Sequence, residues 1–153
     1  MHLETFTRDQ FKHWTSIDVR WGELDAYGHV NNVVYFTYFE ASRTKYMMDL
    51  ALSDFFNGKE LFQVIVSCSM NFRREVRFPA TLEVGTRVTE VRNSSYTMHC
   101  GMFLKGSEKL SADGFGTIVC INPATKRPMP MPSNFFDAIQ TREERVFTTS
   151  STE

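Results

Sequence analysis

No run of apolar residues in the chain is long enough to span a bilayer, and the first dozen residues mix charges with single apolar side chains rather than forming a secretion segment. A reducing cytoplasm is therefore the expected address. An excess of one charge is also missing. Seventeen Lys and Arg face eighteen Asp and Glu, scattered along the chain, for a net charge near -1. Nucleic acid or an anionic membrane needs a basic patch, so neither is expected as a partner. Cysteine is scarce: Cys68, Cys100 and Cys120 are widely spaced, with no CxxC and no Cys/His cluster, and no metal or other cofactor is expected. Each lies in an alternating apolar pattern, where a reduced thiol packs as a small hydrophobe. Repeats and low-complexity linkers are absent, and 153 residues suit one core. A single domain is expected over residues 1–153, with its core at about 14–132 and a C-terminal extension at 133–153. Asn93-Ser94-Ser95 matches a glycosylation sequon but reads here as a turn.

Aromatic side chains are plentiful. Fourteen Phe must be absorbed by the interior or by an interface. Residues 16–21 alternate, with Ile17, Val19 and Trp21 opposite Ser16, Asp18 and Arg20, which is the period of a half-buried strand. Residues 23–32 then carry Gly28, Asp25 and two Asn, the chemistry of a loop. A long helix is predicted over about 32–52, with Asn31 or Asn32 as N-cap and Asn57-Gly58 closing the segment. Tyr35, Phe39, Ser42, Tyr46 and Leu50 share one face, and Phe36, Tyr38, Ala41 and Met47 widen it. So broad a stripe predicts a helix wrapped by a sheet.

Four more strands follow, around 64–72, 82–89, 96–104 and 110–120. Gly114 and Gly116 inside the last one predict close approach of another backbone, or a bend that curls the sheet around the helix. Arg92-Asn93-Ser94 and Lys105-Gly106-Ser107 read as hairpin turns, and residues 134–147 as a terminal helix. The sum is an α+β domain, a five-stranded antiparallel sheet around a long central helix. Its outer face would carry Ile65, Phe103, Phe115, Val119 and Ile121, too apolar to stay bare, so a second copy is expected to cover part of it.

Chemistry concentrates in residues 21–32, where Asp25, His29, Asn31 and Asn32 feed a helix N-terminus. Such an end offers unpaired N–H groups and partial positive charge, and a carboxylate beside it suits attack on, or hydration of, a carbonyl. On residue chemistry alone, an N-cap loop with solvated side chains is the commoner outcome. This stretch resembles the signature of the 4-hydroxybenzoyl-CoA thioesterase family: an aspartate, then Gly-His-Val-Asn-Asn, then Tyr and a Glu…Arg pair. Here those positions are Asp25, Gly28 to Asn32, Tyr35, Glu40 and Arg43. Ile65-Val66-Ser67-Cys68 and the segment from Thr125 to Pro132 also resemble the family, so the likeness runs from about Trp14 to Pro132.

The resemblance implies a hotdog fold and hydrolysis of an acyl-CoA without a metal. It implies Asp25 as nucleophile or general base, the backbone N–H of Asn32 as oxyanion donor, and His29 as either a site imidazole or a loop support. It implies substrate contacts at Tyr35, Ser67, Ser69, Arg92, Lys126 and Arg127. It also implies a homodimer or homotetramer, with each site shared between the Asp25 loop of one subunit and a strand of another. Glu40 and Arg43, three apart on the helix, can pair as a structural contact, and the resemblance to other hotdog thioesterases leaves Glu40 as an alternative base. His2, His13 and His99 have no identifiable partners in the sequence. A hydratase or dehydratase of the same fold, and a noncatalytic acyl-thioester-binding module, are the alternatives.

Overall fold

The computed structural model describes residues 5–50 and 59–149. Its strands are β1 (His13–Asp18), β2 (Phe62–Phe72), β3 (Thr81–Val91), β4 (Ser95–Leu104) and β5 (Leu110–Ile121). They form one antiparallel sheet in the order β1-β3-β4-β5-β2. Tight turns join β3 to β4 and β4 to β5. The longer connection between β1 and β2 carries α1 (Asn32–Met48), and those two strands become opposite edges of the sheet. This is the α+β arrangement the apolar pattern predicts.

Helix α1 buries Tyr35, Tyr38, Phe39, Ser42, Tyr46 and Met47, most of the predicted stripe, against the inner face of β3, β4 and β5. Gly116 makes the close contact possible: a Cβ there would stand 3.2 Å from the Phe39 ring. Phe36, expected to widen the stripe, is exposed, as is Ala41. The helix ends at Met48 rather than Leu52, and Asn57-Gly58 lies outside the described residues. A second helix, α2 (Ser133–Glu143), adds Phe135 and Ile139 to the same core. It stops at Glu144, whose φ of 50° is left-handed, and Phe147 is buried in the extended segment beyond.

Other expectations are corrected. The first strand is shifted: β1 pairs with β3 from His13 to Asp18, and Trp21 sits in a 3-10 turn, 74% exposed. In β2 the alternation breaks at Val66. The register with β5 slips between Ile65 and Ser67, an inserted bulge residue that turns Ile65 toward α1, so that it meets Gly116 rather than the outer face. Cys68 is exposed, whereas Cys100 and Cys120 are buried.

Part of the outer apolar face is covered by this chain itself, while Phe115, Val119 and Ile121 stay half-buried. Phe103 is fully buried by this chain's own N-terminal segment, through Phe6 and Phe11. Phe11 lies on β3 and β4 where two residues have no side chain: a Cβ at Gly85 or Gly101 would come within 2.5 or 2.8 Å of its ring. His99 is sandwiched there, stacked on Phe115 at 4.3 Å and tilted against Phe6 at 4.2 Å, with Nδ1 accepting from Arg87 Nε at 3.0 Å. Burial pushes its imidazole down to about 3. His13 has a partner as well, Asp49, at 2.9 Å. The bare apolar surface is elsewhere. Along edge strand β2, Val64, Val66 and Phe72 are 44%, 60% and 49% exposed.

Candidate active site

Between β1 and α1 the chain makes a short loop held by its own backbone hydrogen bonds. Leu24 and Val30 bridge across it, Asp25 N donates to His29 O at 2.7 Å, and Gly28, at φ 80°, donates back to Asp25 O at 3.1 Å. The glycine is required at that dihedral, which L side chains rarely adopt. Asp25 Oδ1 accepts from the backbone N–H of Tyr27 at 2.9 Å and of His29 at 3.2 Å. Its other oxygen, Oδ2, accepts no hydrogen bond among the described residues. The loop thus aims one carboxylate oxygen by holding the other.

Asn31 is the N-cap, its Oδ1 accepting from Val33 N at 3.1 Å and its backbone O from Val34 N at 2.9 Å. Just before those two engaged donors, the N–H of Asn32 has no acceptor among the described residues. An unpaired N–H at a helix start is a fixed partial positive charge.

A cleft of about 310 Å³ brings Asp25, His29, Asn32 and Tyr35 together. Burial pushes the Tyr35 phenol up to about 12, so it stays a neutral donor at physiological pH. Phe72, Arg73, Arg74 and Glu75, from the end of β2 and the segment after it, close the opposite wall. This segment braces the loop. Val30 N donates to Val76 O at 2.8 Å, and His29 Nε2 meets Glu75 Oε2 at 2.7 Å and an Arg77 Nη at 3.0 Å. Arg73 is tied to the fully buried carboxylate of Asp113, which also accepts from Asn71 Nδ2 at 3.3 Å. From the loop's other flank, Glu23 accepts from the Tyr38 hydroxyl at 2.5 Å.

The remaining predicted site residues lie apart from this cleft within one chain. Ser67 and Ser69 are exposed in the middle of β2. Arg92 pairs with Glu90 at 2.9 Å. Lys126, at φ 59°, places its ammonium 4.4 Å from the Phe62 ring at the far end of β2, with Arg127 beside it. Glu40 is exposed and makes no ion pair with Arg43, whose guanidinium lies 5.0 Å from the Phe39 ring instead. Glu75 and Asp113 went unrecognised in the sequence, because the fold alone brings each to its partner. Among the described residues no group of three or more His, Cys, Asp or Glu is placed to hold a metal ion, and no helix is long and apolar enough to cross a membrane.

Residues 19–139 match the thioesterase-like superfamily. The chain is 23% identical over 126 residues to the long-chain acyl-CoA thioesterase FadM of Escherichia coli strain K12, covering 82% of this chain and 96% of FadM. It is 30% identical over 92 residues to the uncharacterized protein YsmA of Bacillus subtilis strain 168, a stretch that spans 60% of this chain and 61% of YsmA. Its fold superposes on the crystal structure of the PA5185 protein from Pseudomonas aeruginosa strain PAO1 with a TM-score of 0.81, at 31% identity over 96% of this chain and 98% of that one. A carboxylate loop before a sheet-wrapped helix, matched over this length, makes the chain a member of the thioesterase-like superfamily.

Proposed function

We propose that this protein is an acyl-CoA thioesterase that hydrolyses its substrate to the free acid and CoA, with Asp25 as the catalytic carboxylate. The observation that carries the proposal is the pairing of a free Asp25 Oδ2 with an unengaged Asn32 N–H in one cleft. Thioester hydrolysis needs two things: an oxygen base or nucleophile beside the carbonyl carbon, and a donor for the oxygen that becomes negative. Asp25 Oδ2 supplies the first, by attacking the carbonyl or by taking a proton from the water that does. The Asn32 N–H supplies the second, a role typically worth about 3–4 kcal/mol. With Asp25 as base, water's oxygen joins the carbonyl carbon and the C–S bond breaks. The proton taken by Asp25 passes to the thiolate, leaving the free acid, CoA–SH and the restored carboxylate. With Asp25 as nucleophile, the C–S bond breaks to give an acyl–Asp25 anhydride, and water cleaves it, supplying the thiolate's proton and restoring the carboxylate. The likeness of the Asp25 to Asn32 loop to 4-hydroxybenzoyl-CoA thioesterases supports the reading, as does the similarity to a protein named as an acyl-CoA thioesterase.

The active unit we infer is at least a dimer, paired antiparallel through the open edge of β2. That edge offers eleven residues with exposed Val64 and Val66, whereas the other open edge, β1, offers six. Two-fold pairing about Ser67 sets the Phe72 end of β2, beside Asp25, against the Phe62 end of the other copy. Lys126 and Arg127, beside Phe62 of one subunit, then lie near the Asp25 loop of the other to meet CoA phosphates, and substrate contacts of Ser67 and Ser69 are assigned on the family resemblance. Arg92 is assigned to CoA on the family resemblance.

A panel of acyl-CoA thioesters with a thiol-release readout tests the function. Release from at least one member is the expected result. Failure across the panel, with binding retained, favours a noncatalytic module. Hydration of an enoyl-CoA without thiol release favours the hydratase reading.

A further inference from the structure

A second cavity, of about 480 Å³, opens between the C-terminal half of α1 and the sheet. Met47, Leu61, Met98 and Ile118 give it apolar walls, but its lining also carries Arg43, Gln63 and Tyr96. The Tyr96 hydroxyl donates to Gln63 Oε1, so that pair is internally satisfied. Arg43 is not. Its Nε–H is buried and has no acceptor among the described residues, and its guanidinium makes no ion pair, resting instead on the Phe39 ring. A buried N–H without an acceptor is costly, and such groups are rare unless a ligand or water completes them.

The cavity lies along the same helix as the catalytic loop. From Asn32 to Arg43 the rise of α1 is roughly 16 Å, a span that suits an extended acyl chain rather than an acetyl or propionyl group. The chemistry is asymmetric: an apolar sleeve with one unsatisfied cationic donor. A plain hydrocarbon tail fills the sleeve but leaves that donor unpaired.

We propose that this cavity is the site for the distal end of the acyl group, and that it selects a long acyl chain carrying an oxygen acceptor far from the thioester, a carboxylate or hydroxyl that receives the Arg43 N–H. The proposal rests on the acyl-CoA reading above for its catalytic arm but not for its binding arm.

The test compares decanoyl-CoA with its ω-carboxy and ω-hydroxy counterparts on wild-type protein and on Arg43→Met, which keeps the stem and removes the guanidinium. Wild-type protein should favour the oxygenated chains by about tenfold or more in kcat/KM, the size of one charge-assisted hydrogen bond. Arg43→Met should erase that preference while leaving decanoyl-CoA within about twofold. Equal turnover of all three by wild-type protein, or equal losses for all three in the variant, overturns the proposal. Should Arg43→Met fail to fold, Arg43→Gln, which keeps a polar head but removes the charge, serves as the second variant and should narrow the preference for the ω-carboxy chain. Titration calorimetry with decanoate, whose own carboxylate is the acceptor offered to Arg43, reads the cavity without catalysis on wild-type protein and the Arg43 variant. Binding weakened about tenfold or more in the variant supports the site even if no thioester is hydrolysed. Equal or undetectable binding to both proteins contradicts it.

Discussion

His29 and Glu75, 46 positions apart in the chain, meet through Nε2 and Oε2 at 2.7 Å and clasp the Asp25 loop to the segment that follows β2. The same ring nitrogen lies 3.0 Å from an Arg77 Nη, and according to its tautomer it donates to Glu75 or accepts from Arg77, so the brace makes one of these bonds at a time. Asp25 reaches this brace through the backbone N–H of His29 and not through the ring.

The brace predicts graded effects. His29→Asn and Glu75→Gln should each lower kcat by about tenfold or less, with KM little changed, because they loosen the loop without removing the reacting oxygen. Steady-state kinetics on both variants checks this. A loss for His29→Asn equal to that for Asp25→Asn would make the imidazole a proton carrier instead.

The N-terminal segment predicts a stability effect at a distance from the cleft. Phe11 is 4% exposed and fills the space that Gly85 and Gly101 leave open. Phe11→Ala should cost about 3–5 kcal/mol in urea unfolding, the usual range for a buried Phe. Gly101→Ala should be destabilising as well, since its new methyl collides with the Phe11 ring. A change below about 1 kcal/mol in Phe11→Ala would mean that the segment is not held as described.

His99 predicts a pH dependence. Its folded imidazole is held down to about 3, while the unfolded chain has the ordinary value near 6.5. Between those values the unfolded state binds the additional proton, so stability falls as pH drops through 6.5 toward 3. The contribution is on the order of a few kcal/mol over that window. Unfolding free energies followed from about pH 7 to pH 4 should decline, and less steeply in His99→Phe. Identical slopes for the two proteins would contradict the assignment.

Most of the fold can be read from alternation and spacing. The strands at 82–89, 96–104 and 110–120 and the stripe on α1 all carry their period openly, because each has one buried face. Three features resist that reading for physical reasons. A bulge at Val66 reverses the faces of half a strand without any local sequence mark. Phe103 looks like an unpaired surface residue until two glycines, on different strands, show that Phe11 fits between them. At the candidate site, Asp25, His29, Asn32 and Tyr35 are close in sequence and so can be found together, whereas Glu75 and Arg73 enter the cleft only through tertiary contacts.

The edge of β2 predicts the assembly. Val66→Lys places a charge on an exposed edge residue and should weaken edge pairing without disturbing the monomer core. Light scattering alongside activity across a dilution series should show wild-type protein as a dimer or larger. The variant should shift toward monomer and lose activity in step. A fully active monomer would refute both the interface and the sharing of sites.

The most direct test of the central claim is the turnover of Asp25→Asn on the best substrate from the acyl-CoA panel. The substitution preserves shape and leaves Oδ1 able to accept from Tyr27 and His29, but it removes the charge from the oxygen that reacts. The account predicts a fall in kcat of at least about a hundredfold with an unchanged unfolding transition. Hydrolysis at a near wild-type rate by the folded variant would show that Asp25 is not the catalytic carboxylate.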